Sequence, residues 1–225
     1  MGGALIKPGW IITVASQLFI GTRLVRPKEV KVVLGEFDRS KPEFHEQRFE
    51  VQKVFIHPKF NRDKVTYDIA LLKLKTVEKR TSYVNAICLI GGRKARIFED
   101  REHLSTVTGW GTTTQVDIGE DPGLFSMHLK EATIPLKNMR TCKKATAYDF
   151  NPRTMLCAGY IGGSASPCFG DHGAPLVIQD SYSGRWVLIG LYSWSEGCGN
   201  GEKFSYYTRV SKFRKWITGM TRNSS

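Results

Sequence analysis

Residues 168–177 read CFGDHGAPLV, an Asp-His pair between glycines that runs directly into an apolar segment. Other short apolar segments, many rich in β-branched or aromatic residues, occur at 10–15, 30–34, 51–56, 69–74, 106–110 and 186–193. The 22 glycines and 9 prolines fill the gaps between these segments. This pattern predicts many short strands in a sandwich or barrel.

The composition is that of an ordinary globular domain. Of the 225 residues, 41% are hydrophobic and 24% are charged, which excludes a disordered or collagen-like chain. The length suits one large β domain or two small ones. No segment approaches the ~18 apolar residues of a membrane-spanning helix, so we predict no transmembrane segment. Helical periodicity predicts a C-terminal helix at 210–220 and a shorter helix at 136–144.

Residues 168–177 resemble the Gly-Asp-Ser-Gly-Gly-Pro-Leu nucleophile loop of chymotrypsin- and trypsin-like serine proteases. Six more segments are similar to motifs of that family, in its order and near its spacing: WIITVAS at 10–16, YDIALLKL at 67–74, TGWG at 108–111, MLCAG at 155–159, SW at 193–194 and YTRV at 207–210. One such motif is weak evidence, whereas seven in order identify a member of the family.

The resemblance implies an all-β fold of two six-stranded antiparallel β-barrels followed by a C-terminal α-helix. We expect a single domain over 1–225, with barrels at roughly 1–110 and 111–209 and the helix at 210–220. The family's amino-terminal strand is expected to be missing before Met1.

The resemblance places Ser16, Asp68 and His172 at the triad positions where the family has histidine, aspartate and serine. With neither an imidazole at the base position nor a hydroxyl in the loop, the family's proton transfer has no donor and acceptor. We therefore predict that the chain is not an enzyme but a non-catalytic homologue, an extracellular binding or regulatory module. The alternative is a serine endopeptidase with residual or unorthodox activity, in which Ser16 and His172 exchange roles. That exchange moves the nucleophile away from the expected oxyanion donors, the N–H groups of Gly170 and His172.

A specificity pocket is also implied by the resemblance. Ser166 would stand at its base, Ser195 and Ser205 would lie where glycines usually line its walls, and Ser193 would belong to the same pocket. A serine base suits apolar rather than basic side chains, and two wall serines would narrow the entrance. We favour the interpretation that this pocket is no longer used.

The chain has five cysteines, an odd number that predicts one thiol pairing outside the chain. No C-x-x-C pair is present, which disfavours a zinc ribbon or a thioredoxin-like motif. The resemblance implies the bridges Cys142–Cys157 and Cys168–Cys198. Cys88 matches the cysteine that ties such domains to a light chain or other N-terminal domain. A disulfide-bonded domain of this kind is expected to be secreted.

Residues 35–47, GEFDRSKPEFHEQ, resemble the calcium loop of trypsin and the coagulation proteases. Glu36, Glu43 and Glu46 fall on its acidic positions, and Asp38 and Lys41 fall where backbone carbonyls coordinate. Ca²⁺ takes six to eight oxygen ligands, which these groups and water would supply. We therefore predict a Ca²⁺ site, the alternative being an exposed acidic turn.

The net charge of +12 suggests an anionic partner. Basic residues cluster at 23–31, 93–96, 143–144 and 212–215. A sulfated, heparin-like glycan is the predicted partner, and a solvated basic surface is the alternative. Nucleic acid is not expected, because no aromatic stacking platform adjoins the basic clusters.

Overall fold

The structure is a computed structural model that describes residues 1–99, 102–112, 125–163, 165–197 and 203–222. The strands of the first half are β1 (Ala4–Lys7), β2 (Trp10–Thr13), β3 (Phe19–Ile20), β4 (Arg23–Leu24), β5 (Lys31–Leu34), β6 (Gln47–Ile56) and β7 (Ala70–Leu74). Those of the second half are β8 (Cys88–Leu89), β9 (Leu104–Gly109), β10 (Lys130–Pro135), β11 (Met155–Ala158), β12 (Pro175–Gln179), β13 (Trp186–Ser195) and β14 (Ser205–Arg209). The helices are α1 (Gly92–Glu99), α2 (Met139–Lys144) and α3 (Arg214–Arg222).

The first sheet has the order β1-β2-β7-β6-β5, while β3 and β4 pair only with each other among the described residues. Central strand β7 reads ALLKL and is almost wholly buried, as an uninterrupted apolar segment predicts for an inner strand. The first half of β6 alternates between partly buried and exposed positions, because successive side chains point to opposite faces. The sheet therefore curls around an apolar core on one face.

The second sheet has the order β10-β9-β12-β13-β14-β11, and β8 adds to β13 as a short parallel strand. The other pairings within it are antiparallel. The register of β13 against β14 shifts between Tyr192 and Trp194, a bulge that re-aims the side chains around Ser193. Two curled antiparallel sheets with a C-terminal helix confirm the predicted all-β, trypsin-like fold.

The helices differ in detail from the sequence prediction. Residues 210–213 form a 3₁₀ turn, and the α-helix proper begins at Arg214 and ends at Arg222. Helix α2 begins at Met139 rather than at 136, because the side chain of Asn138 accepts a hydrogen bond from Thr141 N–H and caps the helix there. Helix α1 was not predicted from the sequence.

Four clusters of buried side chains make the core. One packs on the inner face of each sheet, a third joins the two sheets, and a small fourth surrounds Cys142 and Cys157. The joining cluster takes Ile12 and Ile69 from the first half, Leu191 from the second, and Phe213 and Ile217 from the C-terminal segment. Each sheet is therefore clamped to the other beside Asp68, which immediately precedes Ile69. In the described part of the chain, no helix combines the length and the apolar character needed to cross a membrane.

Candidate active site

Asp68 lies at the seam between the two sheets and is 2% exposed. The preceding residue, Tyr67, has a φ of 55°, a left-handed conformation that turns the chain inward. The Asp68 carboxylate accepts three hydrogen bonds. Ser16 N–H donates to Oδ1 at 2.7 Å, Ser16 Oγ donates to Oδ2 at 2.9 Å, and Ser193 Oγ donates to Oδ2 at 2.6 Å. One buried carboxylate thus fixes a serine from each half of the fold.

Burial raises the pKa of the Asp68 carboxyl, because a low-dielectric interior disfavours the charged form. The hydrogen bonds from Ser193 and Ser16 oppose that shift by stabilising the carboxylate. A charge kept in this place without an ionic partner is costly, and the donors from Ser16 and Ser193 offset part of that cost.

The loop at 170–173 is held by Asp171. Its Oδ1 accepts a 2.7 Å hydrogen bond from Gly111 N–H, and its Oδ2 accepts one of 3.0 Å from Cys168 N–H. A Cβ on Gly111 would collide with this carboxylate, so only glycine allows the approach. Gly170 and Gly173 have φ values of 92° and 85°, which L-residues rarely adopt. The loop is therefore shaped by glycines at three positions and locked by one carboxylate.

His172 projects from this loop and is partly buried. Burial lowers the pKa of its imidazole, and the amino-terminal ammonium lowers it further. Within the described ranges, the ring makes no hydrogen bond, and the backbone N–H groups of Gly170 and His172 donate none. The structure thus joins Ser16 to Asp68, whereas no hydrogen bond links His172 to either of them among the described residues.

The four serines expected around a pocket have different surroundings. Ser166 and Ser205 line a cavity of about 10 Å³. Ser195 lies 2.8 Å from the hydroxyl of Tyr192. Ser193 points to Asp68 and belongs to the carboxylate network instead. Neither the contact of Ser193 with Asp68 nor that of Tyr192 with Ser195 was predicted from the sequence, because each depends on the bulge in β13.

Comparison with known protein families matches the Trypsin family over residues 1–217. The chain belongs to the trypsin family. It is 33% identical over 217 residues to vitamin K-dependent protein C of Oryctolagus cuniculus, covering 96% of this chain and 45% of that protein. It is 31% identical over 228 residues to clotting factor C of Tachypleus tridentatus, covering 96% of this chain and 22% of that protein. This trypsin-family chain thus spans less than half of the length of these curated relatives.

These comparisons contradict the prediction that the chain is not an enzyme, and that prediction is wrong. It rested on two side chains, Ser16 and His172, whereas the match to the family extends over residues 1–217 and includes all three triad positions. The structure also retains the buried carboxylate of Asp68 and the glycine-shaped loop at 170–173. Two residue identities are therefore not sufficient grounds for calling this domain a non-enzyme.

The five residues of the expected calcium loop lie together in the trypsin-family domain. Carboxylate oxygens of Glu36, Glu43 and Glu46 lie within 4.8 Å of one another. Glu36 Oε1 is buried without a hydrogen-bond partner in the described chain. Burial raises the pKa of Glu36, and so do the charges of Glu46 and Glu43. The Asp38 carboxylate accepts hydrogen bonds from Ser40 and lies 3.3 Å from Lys41 Nζ. Its carbonyl accepts a 3.3 Å hydrogen bond from Lys41 N–H and keeps a second lone pair for a cation. This donor set fits Ca²⁺.

The cysteines divide as the resemblance implies, as far as they are described. A disulfide joins Cys142 to Cys157, confirming that bridge, and Cys88 is free and exposed. Cys198 lies outside the described residues, so the expected Cys168–Cys198 bridge stays a prediction.

The basic clusters differ in how far acidic groups neutralise them. Arg23 and Arg26 both pair with Glu29, at 2.8 Å each. Lys94 pairs with Asp180 at 2.7 Å. By contrast, Arg214 and Lys215 form no ion pair with a described residue, and with Thr218, Gly219 and Arg222 they make an open surface on α3. Lys143 and Lys144 likewise form no ion pair with a described residue, so the C-terminal helix and this pair are the clusters that described acidic groups leave unneutralised.

Proposed function

We propose that this chain is the protease domain of a secreted, multidomain protein and that it recognises a peptide segment of a protein partner where its two sheets meet. The main support is the loop at 170–173, whose N–H groups at Gly170 and His172 donate to no described residue. Such N–H groups bind a carbonyl oxygen when the backbone holds them in place. The two hydrogen bonds of Asp171 supply that rigidity.

A peptide library and amide NMR test this recognition. The ¹⁵N-labelled domain is first screened against immobilised peptides, and peptides that bind are then titrated into the labelled protein. We expect shifts of the amide resonances of Gly170 and His172, and none at Gly184, which lies in the exposed turn between β12 and β13. A library without binders, or shifts that spare Gly170 and His172, would overturn the proposal.

Peptide-bond hydrolysis is the second candidate, and membership of the trypsin family favours it. Ser16 Oγ and the buried carboxylate of Asp68 are already in contact, and the lowered pKa of His172 leaves its imidazole neutral and able to accept a proton. Mass spectrometry of the same incubations detects any cleavage. Cleavage should be lost in Ser16→Ala and kept in Ser126→Ala, a serine outside this network; cleavage that persists unchanged in Ser16→Ala would rule out this use of the residue.

A bound Ca²⁺ belongs to the same proposal. Three converging carboxylates, of which one oxygen is buried without a partner, support it. Glu36, Glu43 and Glu46 would supply the charged ligands, and the carbonyls of Asp38 and Lys41 would supply neutral ones. The cation would offset the mutual repulsion of the three glutamates and stabilise the loop.

A sulfated glycan is the proposed anionic ligand. The open surface of α3 presents Arg214 and Lys215 without described acidic partners, and Lys212 is exposed just before them. Guanidinium groups match sulfate geometry through paired hydrogen bonds. Cys88, exposed and unpaired, would join this domain to another chain or an N-terminal domain. A cysteine that joins two chains suits an extracellular protein, because disulfides persist in oxidising compartments.

A further inference from the structure

Tyr192 stands between the loop at 170–173 and the pocket serines. It is 2% exposed, and its backbone N–H donates a 2.9 Å hydrogen bond to the carbonyl of Ala174. Its ring centroid lies 5.2 Å from that of His172 and 5.8 Å from that of Tyr207. Its hydroxyl lies 2.8 Å from Ser195 Oγ. The side chain therefore extends from the loop to a wall of the pocket.

The remaining cavity behind this wall is very small. Ser205, which pairs across the strands with Ser195, lines it together with Ser166. Its volume is about 10 Å³. A single water molecule needs roughly that much space, so no side chain larger than a methyl group fits.

We infer that Tyr192 fills the specificity pocket of this domain, so that the site accepts a peptide residue no larger than alanine next to the loop at 170–173. The hydroxyl contact with Ser195 fixes the ring in that position, and the tilted rings of His172 and Tyr207 pack against it. The consequence for specificity rests on the proposed peptide recognition, whereas the filling of the pocket does not.

Shortening this one side chain should open the pocket. A buried tyrosine occupies a volume comparable to the engineered apolar cavities of about 150 Å³ that bind benzene. The vacated space in Tyr192→Ala would have an aromatic wall from Tyr207 and a hydroxyl from Ser195. Phenol, which has the ring and the hydroxyl of the lost side chain, is therefore the matching probe.

Phenol binding tests the filling of the pocket without any peptide. Millimolar phenol should raise the melting temperature of Tyr192→Ala and shift the imidazole resonances of His172, with no effect on wild type or Tyr192→Phe. Phe213→Ala, which empties a buried aromatic site in the seam, is the matched control and should leave the His172 resonances in place. If Tyr192→Ala does not fold, Tyr192→Val is the second variant, because valine suits a strand.

Phenol that binds wild type and Tyr192→Ala equally, with the same shift at His172, would show an open pocket and overturn the inference. The peptide arm is separate: Tyr192→Val should favour peptides with leucine or phenylalanine where wild type selects glycine or alanine, by roughly tenfold or more. A wild type that binds no peptide would overturn the proposed function and leave the phenol result standing. An unchanged peptide preference in Tyr192→Val would overturn the specificity role of Tyr192.

Discussion

Ser193 and Asp68 lie 125 residues apart in the chain and are joined by a 2.6 Å hydrogen bond. Asp68 leads into β7 of the first sheet, and Ser193 belongs to β13 of the second. A hydrogen bond to a charged group is worth about 1.5–3 kcal/mol, more than a neutral one. This bond, together with those from Ser16, makes the carboxylate a link between the two halves of the fold.

Asp68→Asn should make stability less dependent on pH. The folded-state pKa of Asp68 is raised, so its stabilising contribution is complete below the ordinary pKa of about 3.9 and is lost as pH rises through the raised value. In the variant, the hydroxyls of Ser16 and Ser193 can rotate to accept from the new amide. We expect the variant to be more stable than wild type at pH 7, and we expect this difference to shrink as the pH falls toward 3.5.

Urea unfolding between pH 3.5 and pH 7.5 measures this difference. Asp149→Asn, which changes an exposed acid, is the control and should follow the wild-type curve. Parallel curves for wild type and Asp68→Asn would contradict the raised pKa.

Calcium should stabilise the domain through the loop at 35–47. A ligand that binds only the folded state adds about 2.7 kcal/mol at a hundredfold excess over its Kd. Glu36→Gln should abolish the calcium-dependent rise in melting temperature and should itself melt higher than calcium-free wild type, because it relieves repulsion from Glu43 and Glu46. Glu50→Gln, whose carboxylate pairs with Lys75 outside the loop, should keep the calcium response. Equal melting of wild type with calcium and with chelator would count against the site.

Binding to heparin should depend on the C-terminal helix more than on the other basic clusters. Reversing the charges of Lys212, Arg214 and Lys215 to glutamate should lower the salt concentration needed for elution from heparin. The matched control reverses Lys143 and Lys144, which should change elution less. Exposed charges act over a Debye length of about 8 Å at physiological salt, so only clustered residues contribute together. Elution of wild type below physiological salt would refute glycan binding.

Peptide mapping without reduction should recover Cys142 linked to Cys157, and Cys168 linked to Cys198. Mild oxidation should produce a disulfide-linked dimer through Cys88, because its thiol is exposed. Cys88→Ser should remain monomeric under the same conditions. Recovery of Cys88 bonded to Cys142 or Cys157 would disprove the assignment.

Strands were predictable where their burial is reflected in a local apolar pattern of the sequence. The ALLKL segment of β7 is apolar because both faces are covered. Helix α1 has no such pattern, because its sequence GRKARIFE has four charged residues. The buried end of the helix is stabilised instead by Glu99, whose carboxylate accepts a 2.8 Å hydrogen bond from Arg209 Nε, 110 residues further along the chain. A helix that depends on so distant a partner cannot be inferred from local periodicity.

The candidate site was predictable in its positions and not in its contacts. Motif resemblance located Ser16, Asp68 and His172, since those positions follow from the order of segments along the chain. That Ser193 would face Asp68, and that Tyr192 would reach Ser195, follow from the bulge in β13. A bulge turns the following side chains to the other face of the strand, and the residue types at 192–195 do not predict it.

Cys88 is held against β13, because it lies in the short parallel strand β8 that pairs with it. Cys88 pairs with Val187, near one end of β13, and Ser193 lies six residues further along the same strand. At about 3.3 Å per residue, the strand spaces these two points by about 20 Å. A chain joined to this domain through Cys88 would therefore be held at a fixed distance from Ser193, the residue of β13 that donates a hydrogen bond to the Asp68 carboxylate.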